Sequence, residues 1–162
     1  MSRGTIAVIV LDDDVKTGLE AAIVTARNLS LHLEVFCLAR ASLRLLPPTM
    51  ADAFDPAPRL EDRSTGVTAC ESLVRERLAI EGIEWSVPTI PADAEALGTA
   101  LMRHLRFADL VLVPRSGAVP GDAVRLFATI LYSSRAPVIL SDAGVDATGR
   151  VMLAWDESDL AL

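Results

Sequence analysis

Aromatic residues are scarce, at 4% of 162 positions, so the chain offers no stacking surface for nucleic-acid bases. Basic residues are the minority as well. Lys and Arg number 15 against 22 Asp and Glu, for a formal charge of −7 and a pI near 4.8. A surface of that sign repels a phosphate backbone, which argues against a nucleic-acid partner. No apolar run approaches the roughly 20 residues that cross a bilayer. The apolar stretch 6–11 runs straight into Asp12, Asp13 and Asp14, unlike a signal segment. The expectation is a cytoplasmic chain with no membrane contact.

Chemistry-bearing motifs are missing too. There is no Gly-x4-Gly-Lys-Ser/Thr loop and no Gly-x-Gly-x-x-Gly after the first strand. The serines lack a nucleophile elbow. His32 and His104 have no partner at ligand or triad spacing and read as structural or surface residues. The two cysteines form no metal or redox motif. Cys37 falls in an apolar strand and Cys70 on a helical stripe with Leu73 and Val74, so both read as small core residues, reduced as cytosolic thiols are. No catalytic set and no metal site emerges.

Apolar residues make up 51% of the chain, with a mean hydropathy of +0.39. They are distributed with periods that alternate between two and 3.6. Strands are expected at 6–11, 33–38, 84–89, 109–113 and 137–140. Between them lie helices. Asp14 is placed to cap the first, whose inner face is Leu19, Ala22, Ile23, Ala26 and Leu29. The second runs from Ser64 or Thr65 to about Glu81 and is closed by Gly82. Asp93 caps the third, with Leu97, Ala100, Leu101 and Leu105 inward, and Asp122 opens the fourth, ending near Tyr132. The stretch 46–63 carries Pro47, Pro48, Pro56 and Pro58 and reads as a surface excursion. This alternation predicts an α/β domain over 1–141: an open five-stranded parallel sheet, Rossmann-like, with helices on both faces. Ligands of such sheets sit beyond the carboxyl ends of the strands, where strand order reverses. That singles out the loops after Leu11, Leu38 and Val113.

Residues 151–158, Val-Met-Leu-Ala-Trp-Asp-Glu-Ser, repeat the form of Ala7-Val-Ile-Val-Leu-Asp-Asp-Asp: an apolar strand running into acids. Residues 142–162 are expected to be a linker and the first strand of a second, incomplete unit. Alternatively, that strand docks on another subunit.

The ordered set of motifs resembles the universal stress protein family, specifically the N-terminal unit of a tandem member. The residues that carry the likeness are Ala7 to Asp12, then Ala108-Asp-Leu-Val-Leu-Val113 with Gly117, then Ala136-Pro-Val-Ile-Leu140, and finally Ala154-Trp-Asp-Glu-Ser158. The resemblance implies an adenine nucleotide, such as ATP, held by the first-strand Asp, the end of the second strand, and a Gly-x2-Gly-x9-Gly-Ser/Thr loop after the fourth. In such a loop, glycines admit backbone N–H groups to phosphates and a helix N-terminus adds its positive end. Carried over by position, Asp12 matches the acid and Leu38 the adenine-contacting site. Pro114 stands at the first glycine and Gly117 at the second.

The pattern then departs. Phe127-Ala128 occupies the place of the Gly-Ser pair, and the nearest later glycine, Gly121, is followed by Asp122. Pro114 removes a donor, and Asp122 opposes a phosphate at the helix start. Arg115 offers its charge to such a site or simply to solvent. Asp12 to Asp14 can equally be a turn with a helix cap. The expectation is a binding or regulatory module of the stress response with a degenerate nucleotide site. The alternatives are an ATP-binding or ATP-hydrolysing protein, or a structural dimerisation subunit. The short fifth strand is expected at a sheet edge and supports a homodimer through the C-terminal strands.

Overall fold

The computed structural model describes residues 4–12, 14–40, 42, 60–90, 94–115 and 120–141. Their order is β1 (Thr5–Leu11), α1 (Val15–Leu29), β2 (His32–Leu38), α2 (Leu60–Leu78), β3 (Trp85–Ser86), α3 (Ala94–Leu105), β4 (Leu110–Val113), α4 (Pro120–Ser133) and β5 (Val138–Leu140). The strands form one parallel sheet in the order β3-β2-β1-β4-β5. Strand order therefore reverses between β1 and β4, and β5 lies at an edge as expected.

A parallel strand covered on both sides has no polar face, which is why these strands read as continuous apolar runs. Ile6, Val8 and Val10 of β1 enter one core, together with Leu33, Val35 and Cys37 of β2, Leu19, Ala22, Ile23 and Ala26 of α1, and Cys70, Val74 and Leu78 of α2. Ala7 and Ile9 enter the other, with Phe36, Leu101 and Leu105 of α3, and Leu126 and Ile130 of α4. Each fully buried aliphatic side chain contributes about 1.5–3 kcal/mol. Two cores, one on each face, hold the sheet.

Several local expectations need correction. Asp14 precedes α1 but makes no side-chain capping bond; its backbone N–H donates to the Leu11 carbonyl at 3.0 Å instead. Helix α2 starts at Leu60, inside the Pro-containing stretch, and ends at Leu78, so Gly82 lies past it in a bend. The buried stripe of α2 is Cys70, Val74 and Leu78, while Leu73 points outward at 54% exposure. Strand β3 is only two residues long. Asp109 precedes β4, and its Oδ2 accepts the Thr5 N–H at 2.7 Å, pinning the start of β1. Helix α4 begins at Pro120 rather than Asp122. His32 is the first residue of β2, with Nε2 2.8 Å from Ser86 Oγ. The His104 ring packs tilted, at 59°, against Phe36, with centroids 5.4 Å apart. The expected cap at Asp93, the Leu97 side chain, the excursion through residue 59 and the strand at 151–155 lie outside the described residues.

Candidate functional site

The reversal of strand order puts the ends of β1 and β4 side by side. Asp12 follows β1. Its backbone N–H donates to the Leu38 carbonyl at 3.0 Å, extending the β1–β2 ladder by one rung. Its Oδ1 accepts the backbone N–H of Arg40 at 2.9 Å. Its other carboxylate oxygen lies against α2, where a Cβ placed on Gly66 would collide with it. The half-buried Asp12 carboxylate is thus wedged between the turn after β2 and a helix. Leu38 is 2% exposed, and its carbonyl is already engaged by Asp12.

Pro114 follows β4 and packs on α1. A Cβ on Gly18 would stand 2.5 Å from the Pro114 Cγ. The pyrrolidine ring fills the space in front of α1 and brings no N–H of its own. Gly121 lies in the first turn of α4. Gly117 lies outside the described residues.

The structure thus brings Asp12, Leu38 and Pro114 to one end of the sheet, and adds Arg40, Gly18 and Gly66, which sequence reasoning passed over. Glycine inside a helix costs about 1 kcal/mol relative to alanine. A glycine in the middle of a helical pattern therefore signals a close approach by another group, and both Gly18 and Gly66 carry that signal. Among the described residues there is no group of three or more His, Cys, Asp or Glu able to hold a metal ion.

Elsewhere the polar groups are disposed unevenly. On α1 and α2, Arg77 grips Glu20 at 2.8 and 3.0 Å, and Arg77 and Arg27 both reach Glu81. The Arg77 hydrogen bond holds the Glu81 carboxyl below its ordinary range. The Cys37 thiol is pushed up by its hydrogen bond to Cys70 and by burial, and both thiols are free. A protonated, buried thiol is unreactive, which agrees with the core role expected of the pair.

The fold is a parallel α/β sheet covered on both faces, with the Asp12 carboxylate at the switch point. No protein-family model matches the chain, and no curated protein matches it. Among solved structures, the chain is similar to a universal stress protein from Archaeoglobus fulgidus, at 16% identity and a TM-score of 0.43, over 86% of this chain and 94% of that one. No helix among the described residues is long and apolar enough to cross a membrane.

Proposed function

We propose that the chain is a universal-stress-protein-like binding and regulatory module of the cytoplasm, acting in stress response, whose adenine-nucleotide site is degenerate. The observation that carries this reading is the closure of the switch point. The Pro114 ring sits against Gly18, and Asp12 spends one carboxylate oxygen on Arg40 while its N–H occupies the Leu38 carbonyl. A nucleotide held there would have to displace bonds that already join the ends of β1 and β2. The described residues thus fit an adenine nucleotide poorly.

Calorimetry of the full chain against ATP, ADP and AMP tests this. The expected result is no binding tighter than about 1 mM, roughly −4 kcal/mol. Micromolar ATP binding abolished by Gly117→Val would overturn it. Protein-dependent ATP turnover abolished by Asp12→Ala would favour an enzyme instead.

The module is proposed to act as a homodimer through β5 and the strand expected at 151–155. Support comes from the edge position of β5 and from exposed Leu131 and Tyr132 on the helix that leads to it, at 47% and 87%. Light scattering checks this. A monomer at tens of micromolar, about −6 kcal/mol, would refute it.

A further inference from the structure

At the end of the sheet opposite Asp12, the last turns of α3 and α4 face one another across an open cavity of about 420 Å³. Three of its lining residues are Arg103, Arg106 and Arg135. None of them has a carboxylate partner among the described residues. On the other face of the sheet Arg27 and Arg77 hold carboxylates. What sets the three apart is that they gather around one cavity; of them, Arg106 lies over the Phe107 ring, 5.9 Å from its centroid.

The cavity also holds Ser134. This residue is 1% exposed, and its hydroxyl has no hydrogen-bond partner among the described residues. A buried hydroxyl left unpaired is costly, and such groups in a native structure call for an explanation. Cations near helix C-termini are favourable by themselves, which would account for the arginines singly. It does not account for an unpaired hydroxyl buried among them. A tetrahedral oxyanion accounts for both, since it accepts from guanidinium forks and from a hydroxyl together.

We propose that this cavity binds a phosphate-type oxyanion, free or carried by a small phosphomonoester, between Arg103, Arg106 and Arg135 and over the Ser134 hydroxyl. Arg103 also lines the adjoining groove with Phe107, which is 80% exposed. That ring offers a shelf for the organic part of an ester. The Glu34 carboxylate, 3.6 Å from His104 Nδ1, also lines this groove, and its charge disfavours an anion beside it.

The test is a titration of the full chain with sodium phosphate and with phenyl phosphate, at constant ionic strength, followed by amide NMR and calorimetry. The expected result is saturable binding near 1 mM, a weak-site affinity of about −4 kcal/mol, with shifts at Ser134 and Arg135. The Arg103→Gln/Arg135→Gln variant should bind at least about tenfold more weakly, having lost two charge-assisted contacts. Ser134→Ala should also weaken binding while melting no lower than the parent. Lys16→Gln and Gly117→Val should bind as the parent does, which separates this cavity from general charge and from the switch point. Tighter binding of phenyl phosphate identifies an ester seated on Phe107, whereas equal binding identifies free phosphate. Shifts that follow ionic strength without saturating, or an affinity unchanged in the double arginine variant, would overturn the proposal.

Discussion

The two faces of the sheet carry equally apolar cores but opposite electrostatic habits. On the α1–α2 face, Arg27 and Arg77 are tied to Glu20 and Glu81, and Arg75 donates to the Val87 carbonyl at 2.7 Å. Those contacts join one helix to another or to the β3 end of the sheet. On the α3–α4 face, Arg103, Arg106 and Arg135 gather around a cavity without a carboxylate partner among the described residues, and Arg106 lies over the Phe107 ring. The same residue type thus does two jobs. Paired, it fastens helices together. Unpaired and clustered, it keeps a concave surface ready for an anion.

The largest effect should come from the cores, where the two faces ought to behave alike. Leu19→Ala on one face and Leu101→Ala on the other each remove a fully buried side chain. Each should cost about 2–5 kcal/mol in urea unfolding; a tolerated loss on one face alone would break the symmetry. Next is Gly18→Ala, whose new methyl would meet a rigid ring at 2.5 Å. Overpacking of that kind should cost about 1–3 kcal/mol. If pairing with valine in place of Pro114 restores the midpoint, the clash is the cause.

Ser134→Ala sharpens the contrast from the other side. Removing a buried hydroxyl with no partner should stabilise the chain by up to about 1 kcal/mol, read as a higher melting temperature. The smallest effect belongs to Arg77→Gln, because exposed pairs contribute little. It has a pH signature all the same. The Arg77 hydrogen bond lowers Glu81, so its contribution is complete above the ordinary glutamate value of 4.5 and is lost as pH falls through the lower folded value. The parent should therefore exceed the variant at neutral pH, and the two should converge in acid. Salt should shrink the same difference.

Much of this architecture was legible in the residues. Strands buried on both faces are unbroken apolar runs, so β1, β2, β4 and β5 could be placed within a residue or so, and the edge position of β5 followed from its brevity. Strand β3 was overread because Val87 and Ile90 are buried without joining a ladder. Burial imitates a strand there. Asp12 could be placed at the sheet end from its position after an apolar run. Its bond to the Arg40 N–H could not, because that contact depends on where β2 ends in space. Ser134 was legible but unread. Leu126 and Ile130 fall at i and i+4 on the inner stripe of α4, Ser134 follows at i+8 just past the helix end, and a serine at that position marks a polar group carried into the interior.

The place of β1 in the sheet has a kinetic consequence. Its pairing with β2 closes through α1 alone, whereas its pairing with β4 waits for the chain to return, as the Thr5–Asp109 bond across 104 positions shows. Local closure is cheaper in chain entropy than distant closure. The β1–α1–β2 unit is therefore expected to assemble first, with β4 and β5 added to it afterwards. Native-state hydrogen exchange should then release the β5 amides at the lowest opening energies and hold those of Val8 and Val10 until global unfolding.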